Sequence, residues 1–480
     1  MDINGRILDL RVKELNINIG RDGSAVQDPK EIYIATRDAI KEAVKRHSED
    51  IYAIVLSAQM HGVTVIDRHG RELIPLVTYL DTRPSSILES TLKDIEPYKL
   101  YKETGCPPLV IYPLTKIIWL RENYENVFKN AKLFLSAKDY TIFKLLGEAF
   151  IDRGVASGSQ LLDINKLKWS DYALELCQIG EEKLPELVDC KEELPISRSV
   201  ALELGLKEPV PLIIGSSDGA LHSVGVGAID GRTLALNLGT SGAIRSSSRE
   251  VVTDYSKEMR FFCYYIGFGY RLPGGAINNA GIVVKWFKDN IINVEADVFK
   301  KMKMNIYEGI DRLAGSVNAG ADGLIALPFF TGERFPIRDS KIRGVFWGLK
   351  LTHGKAHILR ALMEGCAYTL RWIYKAMEEN NIVGCKIRIG GGGAKSKTWR
   401  EIMANVFQLP VEAIHTEEAS LLGAAIMGFT ALGLYRDLEE ACKSMIKVVD
   451  IMQPDPDKSA LYNSYFERFI KIYRAVRGIQ

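Results

Sequence analysis

An alternating apolar run, Leu234-Ala-Leu-Asn-Leu238, breaks at Gly239-Thr-Ser-Gly242 and resumes as Ala243-Ile-Arg245. Two strands joined by four small residues double back as a tight hairpin, and Gly239 and Gly242 supply the backbone freedom for it. The Thr240 and Ser241 hydroxyls and the neighbouring amides can then face an oxyanion, which makes the turn a candidate phosphate grip. Its reach depends on a partner loop elsewhere in the chain.

At 480 residues the chain can bury a large core, and two domains are expected. Hydrophobic residues make up 47% and charged residues 25%, which favours a folded enzyme over disorder or a fibrous repeat. The 62 basic residues nearly balance 60 acidic ones, so the net charge of +2 offers no global attraction to nucleic acid or an anionic membrane. Any anion must be bound locally. Seven cysteines without a Cys-x-x-Cys pair suit neither a disulfide framework nor a zinc site, and point to a reducing cytoplasm. Seven histidines without clustered spacing argue against a protein-built metal site. No segment offers the roughly 20 consecutive apolar residues of a membrane helix. The opening Met1-Asp-Ile-Asn-Gly-Arg6 lacks the apolar core of a signal peptide, so a soluble cytoplasmic protein is expected.

Periodicity predicts alternating strands over Arg6–Ile19, a helix over Pro29–His47 and a strand over Ile51–Ser57. That strand runs into the polar loop Ala58-Gln-Met-His-Gly62, followed by a strand over Val63–Asp67. Lys116–Glu186 reads as mainly helical, an insertion or cap. An apolar strand over Pro209–Ile214 runs into Gly215-Ser-Ser-Asp-Gly219. Helices are predicted over Gly281–Asn290 and Lys355–Glu379, where Ile358, Leu362, Tyr368 and Trp372 read as core. Strands are predicted over Gly323–Leu327 and Lys386–Ile389; the latter leads into Gly390-Gly-Gly-Gly-Ala-Lys-Ser396 and a helix that Ser396 or Thr398 could cap. The two halves echo each other, which suggests a duplicated α/β fold with a ligand cleft between them.

Asp218 sits where a strand ends and a helix begins, so its carboxylate is either a general base for phosphoryl transfer to an alcohol or a plain helix cap. Gly390 to Gly393 could let a nucleotide approach the backbone beside a helix N-terminus. That loop fits neither the P-loop pattern nor the dinucleotide fingerprint. Gln59, Met60 and His61, with Asp81 and Arg83 of Tyr79-Leu-Asp-Thr-Arg83, could supply the mixed donors and acceptors that a polyhydroxylated ligand needs. A loop histidine and a surface Asp–Arg pair would account for the same residues.

Taken together, these loops resemble the FGGY family of carbohydrate kinases, two-domain enzymes of the actin-like ATPase fold. The resemblance spans nearly the whole chain: Ser57-Ala-Gln-Met-His-Gly62, Pro113-Leu-Thr-Lys116 with Trp119, Gly215-Ser-Ser-Asp-Gly219, Gly239-Thr-Ser-Gly242, Gly332-Glu-Arg334, Gly344-Val-Phe-Trp-Gly-Leu349 and Gly391-Gly-Gly-Ala-Lys-Ser396. It implies an α/β, two-domain, ribonuclease H-like fold with a cleft between a sugar-binding domain over 1–229 and a nucleotide-binding domain over 230–480. By the same resemblance Asp218 is the catalytic base, and Gly239 and Thr240 face the ATP phosphates. Gly281 and Lys285 belong to the helix beside the nucleotide, and Gly392, Gly393 and Lys397 to its adenosine loop. Gln59, Met60 and His61 line the sugar side, with Asp81 and Arg83 as neighbours. ATP and Mg2+ are the implied cofactors. The implied partner is a small sugar or sugar acid, with a homodimer as the default assembly.

The runs ending at Arg245, Gly281 and Arg334 look most like gluconate kinases, whereas the Gln59-Met-His61 loop looks more like xylulose kinases; D-gluconate is the expected acceptor. No Arg or Lys partner for a carboxylate stands out in the sequence. Family members open with a strand–Asp-x-Gly-Thr-Thr-Ser hairpin that this chain lacks, so the first domain is expected to miss one phosphate loop and to expose a sheet edge. Ile111 is a minor departure near Lys116. Either an active sugar kinase starts upstream of Met1, or the protein is a degenerate kinase that binds sugar or partners without turnover.

Overall fold

The computed structural model describes residues 1–479 apart from 48, 49, 94, 293–298, 300 and 302–304. Its second half is organised by one seven-stranded sheet, ordered Phe262–Gly267, Tyr270–Ile277, Gly242–Arg245, Thr233–Leu238, Lys386–Gly390, Val411–Ile414, Val448–Met452. The three strands Thr233–Leu238, Lys386–Gly390 and Val411–Ile414 run parallel, and the first two are almost wholly apolar where they are buried on both faces. The helix Lys355–Glu379 packs against this sheet, with Leu362 and Tyr368 inside and Ile358 and Trp372 at the margin of the same core.

In the first half, strands divide between two sheets. Five run in the order Asn18–Ile19, Ala25–Gln27, Glu72–Val77, Val63–Ile66, Leu133–Leu135, all antiparallel. Three more run Glu193–Leu194, Leu212–Ser217, Ile54–Ala58, which leaves Ile54–Ala58 as an edge. The helix Pro29–His47 has the predicted bounds.

Two expectations change. Strands over Arg6–Ile19 are replaced by irregular chain up to Asn18–Ile19, because the segment finds no ladder partner: Leu8, Leu10 and Val12 remain exposed, Val12 by 77%. Lys116–Glu186 is mixed rather than mainly helical. The helices Pro113–Asn123, Ala137–Leu146 and Asp171–Cys177 alternate with short strands, and the three-residue run Leu133–Leu135, too short to show a period, is recruited as a sheet edge by Val63–Ile66.

The halves meet through two helices, Asp218–Gly225 and Ala419–Ala431. A Cβ at Gly225 would collide with the Ala419 carbonyl, and one at Gly423 with the Leu221 carbonyl, so the helices cross at backbone contact. All seven cysteines are free thiols. Among the described residues no helix is long and apolar enough to cross a membrane.

Candidate active site between the lobes

Strands Ile54–Ala58 and Leu212–Ser217 pair in parallel, with Ser57 opposite Ser216 and Ala58 opposite Ser217. Both therefore end at one edge of the sheet, and the Gln59–Gly62 loop leaves beside Asp218. Ligands collect at the carboxyl ends of such strands. Ser217, not Asp218, caps the following helix: its side chain accepts the Ala220 N–H at 3.3 Å. The cap reading thus passes to the neighbouring serine, and the Asp218 carboxylate, which accepts the Gly219 N–H at 2.7 Å, is free to face the cleft. The residue is open to cleft water. It nevertheless lies deep between the lobes, and desolvation raises its pKa against the opposing pull of Arg245 and the Gly219 N–H.

His61 adopts a left-handed backbone, φ 73°, that only a tightly determined loop imposes on a non-glycine residue. Its Nδ1 lies 2.8 Å from the Gly158 carbonyl, so that nitrogen carries the proton and Nε2 is left as an acceptor. The ring stands edge-on to Tyr112 and Tyr264, whose hydroxyls bond each other at 2.9 Å. Burial drops the His61 pKa to about 3, so the ring is neutral at working pH. Lys116, fully buried on the Pro113–Asn123 helix, donates to the carbonyls of His61 and, at 3.0 Å, Ile111. Burial lowers its pKa to about 7. The sequence marked this lysine only as part of a matching stretch; its role in holding the His61 loop is visible in three dimensions alone.

Asp81 and Arg83 are placed elsewhere. Arg83 Nη2 bonds Asp81 at 2.7 Å, Asp81 also accepts the Ala25 N–H at 2.9 Å, and the guanidinium lies over Trp119 at 4.8 Å. The pair clips the Tyr79–Arg83 turn to the sheet and does not line the cleft cavity.

On the other side, Thr233–Leu238 and Lys386–Gly390 pair in parallel with Asn237 opposite Gly390, which sets the Gly239 hairpin beside the Gly391 turn. The hairpin docks on a helix start: the Gly281 and Ile282 amides donate to the Gly239 and Thr240 carbonyls at 2.9 and 3.0 Å. A Cβ at Gly281 would lie 2.5 Å from the Gly239 carbonyl oxygen, so this approach requires glycine. Gly392 and Gly393 open a short 3-10 turn, and Ser396, not Thr398, caps the helix Lys397–Phe407 by accepting the Trp399 N–H at 2.9 Å. Thr398 instead donates to the Asp311 carbonyl at 3.0 Å. Lys285 points to the surface and pairs with Asp289 at 2.6 Å, and Lys397 is exposed at the helix start.

The two sets of loops enclose a cavity of about 150 Å³. Gln59, Met60, His61 and Asp218 line it from the first lobe, and Asn237, Ser241, Arg245, Tyr264 and Arg334 from the second. Arg245 and Arg334 were missed from sequence as site residues. Each closes a run that was read for its glycines, and a lone arginine on a strand or loop carries no periodic signal.

Family models describe both halves of this chain: the N-terminal domain of the FGGY family of carbohydrate kinases matches residues 1–225 and its C-terminal domain residues 234–432. The chain belongs to that family. It is a phosphotransferase with the two-domain, actin-like fold of the FGGY kinases. A gluconokinase of Bacillus subtilis (strain 168) is 32% identical over 458 residues, covering 95% of this chain and 89% of that one. A xylulose kinase of Staphylococcus epidermidis is 28% identical over 482 residues, covering 100% and 94%. Two crystal structures from Lactobacillus acidophilus, one described as a ligand-bound xylulose kinase and one as a gluconate kinase, each superpose with a TM-score of 0.92 at 30% identity, covering 99% of this chain and 95% of theirs.

Proposed function

We propose that this FGGY kinase transfers the γ-phosphoryl group of ATP to a hydroxyl of D-gluconate. The observation that carries the reading is Asp218: a carboxylate open to a small polar cavity that Ser241 and Gly242 of the glycine hairpin also line. A raised pKa makes a carboxylate a better proton acceptor near neutrality. The sugar enters with His61 Nε2 accepting one hydroxyl hydrogen and Gln59 bonding another, which turns the reacting hydroxyl toward Asp218. Asp218 takes its proton as the oxygen approaches the γ-phosphorus in line. The Gly239–Gly242 amides and hydroxyls hold the phosphates, and the Gly392–Gly393 turn meets the adenosine. Kinases of this family use ATP. Among the described residues no three His, Cys, Asp or Glu side chains converge to hold a metal, so Mg2+ fits here as an ion carried in on ATP oxygens and water, with Asp218 the one carboxylate on the wall. Bound there, Mg2+ neutralises phosphate charge.

Gluconate is favoured over xylulose by the 32% identity to a gluconokinase. Xylulose is the second reading, because the Gln59–His61 loop on the sugar side of the cavity resembles that of xylulose kinases. ADP release measured over gluconate, xylulose, ribulose and glycerol tests both. Gluconate is expected to give the highest kcat/KM; no sugar-dependent ADP from any of the four would sink the kinase reading.

The pH profile adds a second test. The base works ionised, and burial raises its folded pKa, so kcat/KM is expected to fall on the acid side, through a midpoint above the usual aspartate value. His61, at about 3, contributes no limb near neutrality. An acid midpoint at or below the usual aspartate value would contradict the desolvated site.

A further inference from the structure

The cavity wall holds more positive charge than the transfer step uses. Asp218 is its one carboxylate and His61 is neutral, yet Arg245 and Arg334 bring two guanidinium groups. Arg245 Nη1 and Arg334 Nε are buried and have no hydrogen-bond partner among the described residues. Arg334 Nη2 reaches the Ile277 carbonyl only at 3.4 Å. Two arginines on the wall of one cavity, each with an N–H that has no protein partner, make that wall a place suited to an anion.

The neighbouring carboxylate does not fill that place. Glu333 is buried and turned away, accepting the Asn278 N–H at 2.5 Å, Asn279 Nδ2 at 3.1 Å and the main-chain N–H of Arg334 at 2.9 Å. Burial pushes it up to about 7, so near neutrality it carries only part of its charge. The two arginines are also spread along the cavity. Arg245 lies at the Asp218 end, where a Cβ on Gly219 would sit 2.9 Å from its Nη2. Arg334 acts on His61, at the sugar-side loop.

We propose that Arg334, at the His61 end of the cavity, binds the carboxylate of a sugar-acid acceptor and so places the hydroxyl at the other end of the carbon chain against Asp218, where Arg245 lies. The inference rests on the sugar-acid reading above and names the residue that makes the choice. An aldonate brings a carboxylate to the Arg334 guanidinium, whose planar fork matches it. A neutral ketose or polyol leaves that fork unpaired, and a site built around a polar group rejects a ligand that lacks it.

The test compares D-gluconate with D-glucitol, the same carbon chain with a CH2OH in place of the carboxylate, and with D-xylulose. It reads kcat/KM, or Ki where an acceptor is not turned over, on the full chain and on Arg334→Gln, Arg334→Lys and Arg245→Gln, with thermal unfolding as a check on folding. Wild type is expected to prefer gluconate over glucitol by about 100-fold. Arg334→Gln should lose about that factor on gluconate, chiefly in KM, with glucitol changing less than about threefold. Arg334→Lys should recover part of the preference, since a point charge replaces a fork. If Arg334→Gln does not fold, the same ratio is read on Arg334→Lys, with Arg245→Gln as the comparison at the Asp218 end. Equal losses on gluconate and glucitol, or an unchanged preference in both Arg334 variants, would overturn the arginine assignment while leaving gluconate phosphorylation standing. A wild type that phosphorylates xylulose and ignores gluconate would overturn the sugar-acid reading and this inference together.

Discussion

Asp218→Asn is expected to lower kcat for sugar phosphorylation by about 100- to 10,000-fold, with KM for sugar and ATP moving less than about threefold. Asparagine keeps the shape and the bond to the Gly219 N–H but cannot take up the hydroxyl proton. Because Ser217 supplies the helix cap, the substitution leaves that helix anchored, and the thermal unfolding temperature should stay close to wild type. Coupled ADP release gives the rate. Retention of more than a tenth of wild-type kcat would mean that another group is the base.

The largest expected effect on stability lies beneath the strand that delivers Asp218. Lys138 donates to Asp152 and, at 3.0 Å, to the Ile214 carbonyl, and both charged side chains are buried, at 2% and 0% exposure. Ile214 sits in the irregular stretch between Ile213 and Ser216, where the pairing register shifts. Lys138→Met leaves the Asp152 carboxylate buried without its cation, and should cost about 3–5 kcal/mol. Urea unfolding checks this, and pairing the change with Asp152→Leu should restore much of the loss, since an apolar pair of similar volume replaces the ions. A single-variant loss under about 1 kcal/mol would show that water or another group already compensates the charge.

The sequence read best where one signal repeated over many residues. The helices Pro29–His47, Gly281–Asn290 and Lys355–Glu379 have the expected bounds because each carries an apolar stripe over ten or more residues. The strand-to-helix step at Asp218 was legible for the same reason, as an apolar run that stops at small polar residues. Whether Ser217 or Asp218 caps that helix was not, since both are good caps and adjacent. Chain neighbours also misled: Asp81 and Arg83 follow the cavity-lining Tyr79 closely, but their side chains turn to Ala25 and Trp119. Arg245 and Arg334 stand 89 residues apart and become one feature only when the Gly242–Arg245 strand and the Gly332–Arg334 turn reach the same cavity. Nothing local in either residue encodes that meeting.

The helix that begins at Asp218 belongs by chain order to the sugar side, yet its last residue, Gly225, is pressed against Ala419, and Ser420 Oγ donates to the Asp218 carbonyl at 3.1 Å. It is therefore held to the Ala419–Ala431 helix at both ends, with backbone contact at the Gly225–Gly423 crossing. From Gly225 to Asp218 is seven residues, about 10 Å at 1.5 Å per residue, so a change of about 10° in the crossing angle would displace the carboxylate by about 2 Å. That is the difference between touching a hydroxyl and missing it. The position of the Asp218 carboxylate is thus set by the packing of two helices from opposite halves of the chain, and a side chain added at Gly225 or Gly423 would be felt in the cleft.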